Sequence, residues 1–410
     1  MRPAASISAS FHRRRVSRVA IACVIAAAAM ASSGCGPMRS LVGINTVHLG
    51  EAQVSAMQVD IGPGISTICP RQPVQMHATV TAQLPRAVAP STYETWRGGN
   101  GTRRNGMLDF RNFAFASTQG RFDELGWFAP DPDVLATVDS GFAISAQLLH
   151  PRAQLAQTLH YDPDYRCIVS AGAPGGPGAD GPDGASGYGG HDGRDGFDGQ
   201  DGGDGARGGD GAPGGNAFNG PHLRVYASYA STRLYPKLIV VRVLGDIEDL
   251  VLAPADRPLT LIAGGGRGGA GGDGGSGGSG GDGGRGEGDK DRVGHGGDGG
   301  HGGDGGFGGP GGIGGDGGRI ELVYDRRYPE LAQLLRFDVS GGSPGAGGDG
   351  GSAGSRGDGG NGGAGSGRDG YPGHYGGSAP DGGFGRPGDT EMTAGEVSVY
   401  FRDLPGVRML

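Results

Sequence analysis

The chain lacks the basic excess that a nucleic-acid-binding surface requires. Its 35 Lys and Arg stand against 43 Asp and Glu, a formal charge of −8, whereas contacts that release counterions from phosphate need the opposite balance along one face. Nucleic acid is therefore excluded as a partner, and the acidity serves solubility. Apolar residues are scarce at 35% of 410 positions, which argues against one large core and for several smaller units. Catalytic signatures are lacking too. There is no H-E-x-x-H and no G-x-x-x-x-G-K-[ST], and the Gly-x-Ser-x-Gly matches, such as that around Ser276, belong to repeats without a strand-to-helix turn. The many G-x-G-x-x-G matches follow from composition, since a dinucleotide site needs one such turn between a strand and a helix. No catalytic residue is assigned, and an enzyme is not expected.

Cysteine is nearly absent, with four in the chain. Cys23 falls in an N-terminal apolar run, Val19 to Ala31, that is preceded by Arg13, Arg14, Arg15 and Arg18. The run is too short to span a bilayer and has the layout of an export signal covering residues 1–34. Ser32-Ser33-Gly34-Cys35 resembles the lipobox of bacterial lipoproteins. The resemblance implies that Cys35 becomes the acylated first residue of the mature chain, with ordinary cleavage nearby as the alternative. Gly36 after that cysteine implies, by the same resemblance, the outer membrane or cell surface over inner-membrane retention. Cys69 and Cys167 then remain, and a lone pair in an oxidising compartment is expected to form a disulfide, two separate buried thiols being the alternative.

What the chain has in abundance is glycine, 94 residues concentrated in three tracts, 172–220, 264–318 and 341–388. Before them, residues 35–170 have ordinary composition. Alternating segments at Val54 to Ile61, Val74 to Thr81, Leu108 to Phe115, Gly141 to Leu149 and Arg166 to Val169 suit strands. Together with the cysteine pair they suggest a β-sandwich, similar in architecture to immunoglobulin-type bacterial surface domains. Pro151 to Leu159 reads as a short helix or a strand connection. The polar run Trp96 to Asn105 is the most exposed-looking loop, and Trp96 is a candidate contact residue.

Residues 171–410 form an internal repeat. Each of its three units has an entry strand, a glycine tract and an exit strand. Entries are read at Cys167 to Gly172, Leu259 to Gly264 and Phe337 to Gly342, and exits at Leu223 to Tyr226, Ile320 to Tyr324 and Val397 to Tyr400. The disulfide is then expected to clamp the sandwich to the strand base of the repeat. The expected fold is mainly β, an N-terminal sandwich followed by a β base carrying three glycine-rich polyglycine-II or polyproline-II-type excursions.

The tracts differ in pattern. The first is Gly-X-Y, with Asp recurring at the third position. It resembles bacterial collagen-like proteins in register, with little proline. The second is mostly Gly-Gly-X, broken by the charged run Glu287 to Arg292, which reads as a hairpin tip. With three residues per turn and a rise of about 3.1 Å, each leg of such a hairpin extends roughly 70 Å. Two bare faces per leg suit backbone-to-backbone packing against several neighbours. The first tract is accordingly expected at the edge of a bundle and the second inside it. A collagen-like homotrimer and disordered spacers are the competing states, so the oligomeric state stays open. The tip of the third tract is expected between Gly365 and Gly373.

The tract side chains supply the remaining candidates. Repeated Asp suggests calcium, with Asp192, Asp195, Asp198 and Asp201 as ligands in a calcium-stabilised matrix protein. Solvated acidic ridges are the plainer alternative, and no cofactor or metal is assigned. Exposed aromatics, Tyr371, Tyr375 and Phe384 above all, are candidate contacts for glycans or surface proteins. These features are similar to those of bacterial glycine-rich, collagen-like repeat surface lipoproteins. The resemblance implies an exported, lipid-anchored structural or adhesive protein.

Overall fold

The computed structural model describes residues 46–95, 107–289 and 291–410. The export segment, Cys35 and Trp96 lie outside the described residues. The protein is mainly β, with strands in several sheets. Among the described residues no helix is long and apolar enough to cross a membrane.

Two compact units are present, and they do not divide at residue 170. The first comprises residues up to 66 together with 73–130 and 143–160; the second comprises 67–72, 131–142 and 161–410. Where one sandwich is expected, the strands before residue 164 are distributed over four small sheets of two to four strands. Short apolar runs cut by Pro and Gly turns do not support longer ladders. In the first unit, Gln53–Asp60 pairs antiparallel with His77–Gln83, whose alternate residues Ala78, Val80 and Ala82 are fully buried. The stretch from Pro151 is no helix: a strand, Ala156–Pro163, begins within it. Its alternation of exposed and less exposed residues has the period of two that a strand requires.

The second unit is built on two sheets of repeat strands. The three entry strands, Ser170–Gly172, Leu259–Ile262 and Leu335–Asp338, form one parallel sheet in that order. The exit strands His222–Ser231, Arg319–Asp325 and Asp389–Gly395 lie parallel and side by side in the other. Leu238–Gly245 and Asp249–Pro254 extend that second sheet antiparallel beyond the first exit. The segment LIVVRVLG is apolar on both faces, and Leu238, Ile239, Val240 and Val241 are all buried, as a strand covered on both sides requires.

The third exit strand is not at Val397 to Tyr400, where Val397 precedes a short 3-10 turn, Ser398–Phe401. It is the polar stretch DTEMTAG directly after the last tract glycine. This strand sits at the sheet edge, bonded on one side to Arg319–Asp325 and mostly exposed, so it carries no apolar alternation. Val397 and Phe401 are buried in the core instead.

Cys69 and Cys167 are joined at an S–S distance of 2.06 Å. Both belong to the second unit, so the link fastens segment 67–72 to the repeat base and does not clamp one unit to the other. Arg71 reinforces it with a two-pronged contact to Asp249, at 2.6 and 3.0 Å.

Candidate glycine-bundle display surface

Each tract turns back once, giving six legs: A (173–196), B (199–220), C (264–286), D (294–318), E (341–362) and F (367–388). The turn in the first tract falls at Phe197, where the glycine register runs on unbroken. In the second it falls at the charged interruption, where Asp289 accepts the amides of Asp291 and Arg292. The third turn lies near Gly362 to Gly365, closed by the amide of Gly365 donating to Gly362 O at 3.2 Å. Tyr371 and Tyr375 are therefore on the body of leg F and not at a tip.

Every third amide in a leg donates to a neighbouring leg. Leg A donates to C from Gly175→Gly264 O to Gly196→Arg285 O, and C to E from Gly265→Ser340 O to Gly286→Asn361 O. Leg B donates to D, and D to F, in the same way. The antiparallel contacts B to A, C to B, D to C, E to D and F to E complete the set, as in Gly278→Ala206 O at 2.8 Å and Gly303→Gly278 O at 2.8 Å. This pattern defines two layers of three legs, A-C-E and B-D-F. Legs C and D have four neighbours each, and A and F only two.

Sequence pattern follows neighbour number. A Cβ on Gly278 of leg C would meet Tyr188 O at 2.0 Å, and one on Gly277 would meet Gly303 O at 1.9 Å. Two of every three positions must then be glycine in C and D. Edge legs A and F tolerate Gly-X-Y because a second direction faces solvent.

The layers continue the base sheets in register. Strand pairing aligns Gly172 with Ile262, Ile262 with Asp338, Leu223 with Ile320, and Arg319 with Asp389. The same sequence offsets of 90, 76, 97 and 70 recur between side chain and amide out along the legs.

Those side-chain contacts explain the aspartates. The X residue of a Gly-Gly-X leg has an amide with no backbone partner, and an Asp or Asn on the adjacent leg accepts it. Asp192 takes the amide of Asp282 (3.0 Å), Asp195 that of Arg285 (2.6 Å), Asp198 that of His295 (2.9 Å) and Asp201 that of Asp298 (2.7 Å). Asn216 and Asn219 do the same for Ile313 and Asp316. At the rung of Pro213, Pro310 and Pro380, neither Pro310 nor Pro380 has an amide to satisfy, and no acceptor is present. The carboxylates proposed for calcium thus hold their neighbours' amides. Among the described residues no group of three His, Cys, Asp or Glu converges as a metal site would require.

Electrostatics agree with this role. The amide of Phe307, then Arg207, hold Asp210 below the ordinary carboxylate range. Asp304 is held down first by the amide of His374, then by its imidazole at 3.0 Å.

The two faces differ in chemistry. On A-C-E several rungs are short and polar, as in Asp183, Asp273 and Asp349, or Ser186, Ser276 and Ser352, and leg A also exposes Tyr188. On B-D-F the rungs carry rings. His301 stacks on Tyr371 at 5.4 Å, and Phe307 lies against Gly377 with the Arg207 guanidinium 5.4 Å from its ring centre. Tyr371, Tyr375 and Phe384 on leg F are 73, 80 and 77% exposed. Comparison with protein-family models, curated proteins and solved structures gives no match.

Proposed function

We propose that this is a non-enzymatic, exported cell-envelope protein in which a polyglycine-II bundle serves as a stiff platform for surface contacts. The observation that carries the reading is the shared register of six legs, which fixes side chains on a lattice while leaving the aromatics of leg F exposed. A flexible spacer has no need of backbone bonding to two, three or four neighbours. The lipobox-like Cys35 supplies attachment to the outer membrane or cell surface, and glycans or surface proteins are the partners. The work is structural or adhesive.

The test is retention of the purified protein on isolated envelopes. Replacing Tyr371, Tyr375 and Phe384 together by Ala should lower retention about tenfold with the thermal midpoint unchanged. Unchanged retention would overturn the adhesive reading. Incorporation of radiolabelled fatty acid, abolished by Cys35→Ser, checks the anchor.

A further inference from the structure

The first unit contains a hollow that the bundle reading does not use. Its three-stranded sheet runs Val74–Gln75, Trp127–Pro130, Gly120–Phe122, with Trp127–Pro130 in the middle. Along the middle strand Phe128 is fully buried while Trp127 and Ala129 face outward. Ala129 is paired directly with Arg121. The smallest side chain on that face therefore lies between an indole and a guanidinium, and the gap opens as a hollow of about 500 Å³ lined by Pro73, Arg121, Phe122, Asp123, Trp127 and Ala129.

The lining is mostly apolar, with polar groups at the rim. Trp127 is 39% exposed, and Asp123 holds both its backbone amide and its carbonyl. Its amide donates to Asp123 Oδ1 at 2.9 Å, and its carbonyl accepts the Asp123 amide at 3.1 Å. Asp123 Oδ1 also takes the amide of Leu125 at 2.9 Å, so this carboxylate is occupied in closing the turn. Arg121 forms no ion pair among the described residues and stands exposed at the rim. A concave apolar floor with a few converging polar groups is the usual form of a small-ligand site.

The geometry points to a binding site for an acidic saccharide, a pyranose carrying a carboxylate. The apolar face of the sugar ring would lie on the Trp127 indole, its carboxylate would take the unpaired Arg121 guanidinium in a two-pronged contact, and a hydroxyl would reach the second oxygen of Asp123. The Arg121 guanidinium, with no ion pair among the described residues, gives a sugar carboxylate a direct partner that a neutral sugar lacks. An extended peptide is the weaker fit. The middle strand, which carries Trp127 and Ala129, is bonded on both sides and offers no edge of its own for strand addition.

The full chain carries two Trp, so Trp96→Phe leaves Trp127 as the sole indole reporter. Titrating that variant with an oligosaccharide of alternating uronic acid and hexose should shift the emission saturably. The carboxyl-reduced form of the same oligosaccharide should bind at least tenfold more weakly. Arg121→Gln should erase that difference, and Ala129→Leu, which fills the gap at an exposed strand position, should abolish binding. Circular dichroism of each variant confirms that the fold is retained. Absence of a saturable shift, equal affinity for the two forms, or indifference to Ala129→Leu overturns the proposal. So does binding of peptides ending in a free carboxylate with none of the oligosaccharide.

Discussion

Asp183 and Asp273 stand on adjacent legs, and the amide of Asp273 donates to Oδ1 of Asp183 at 2.9 Å. Asp273 in turn accepts the amide of Asp349 at 2.8 Å. One residue type thus serves as both customer and supplier across three legs. Its spacing of three along the chain is the spacing of amides that would otherwise face water alone.

Removing such an acceptor should be felt across the gap. Asp201→Ala strips the partner from the amide of Asp298, and loss of about 1 kcal/mol corresponds to roughly fivefold faster hydrogen exchange at that amide. Asp201→Asn should restore protection, as Asn216 already caps Ile313. Equal exchange in all three proteins would refute the capping role.

Glycine in the inner legs should be irreplaceable where its neighbours are backbone. Gly278→Ala forces a carbon to within 2.0 Å of Tyr188 O, and overpacking of this kind costs about 1–3 kcal/mol or more. Gly383→Ala meets only the Ile313 Cγ2 methyl at 3.9 Å and should leave the midpoint of thermal unfolding within a degree of wild type. A similar loss in both variants would contradict the bundle packing.

Acid should loosen the second unit. Asp325 is pushed up by burial, but hydrogen bonds from Arg327 and Ser228 outweigh this and leave it below its ordinary value. Asp210 and Asp304 are depressed as well. A depressed folded-state value means that the stabilisation is complete above the ordinary carboxylate range and is lost as pH falls through and below it. Unfolding midpoints measured by denaturant should be flat from neutrality down to about pH 5 and then fall. Asp325→Asn should flatten part of that decline.

Reduction should weaken the same unit. Cys69 and Cys167 close a loop with a sequence separation of 98, for which chain-entropy arguments give about 4–5 kcal/mol. Cys69→Ser with Cys167→Ser should lower the unfolding free energy by several kcal/mol. It should also loosen residues 69–72 to proteolysis, which would then be held by the Arg71–Asp249 contact and by the strand Thr67–Ile68 paired with Asp162–Pro163.

The sequence was most informative where one local rule had a single structural outcome. Gly-Gly-X at Gly271 to Asp316 announces legs crowded on two sides, and the run Glu287 to Arg292 announces a tip, because nothing else interrupts the register. The turn at Phe197 left no such mark, since Gly196 and Gly199 keep the period through it. Asp389–Gly395 has no strand pattern because an edge strand with one partner needs no apolar face, and Val397 to Tyr400 imitates the alternation of an exit strand. The hollow at Trp127 has no linear signature for a different reason. Its signal is a pair of alternations, Arg121-Phe122-Asp123 and Trp127-Phe128-Ala129, and only the strand pairing shows that they face each other.

In the gene, the shared register of the legs becomes a constraint on length. A one-residue insertion in leg C would break every rung beyond it, and even a three-residue insertion there would slide its outer part past A, B, D and E. Lengthening such a rod without breaking its register therefore requires three-residue, nine-base units entered in step on both arms of a hairpin and in the legs beside it.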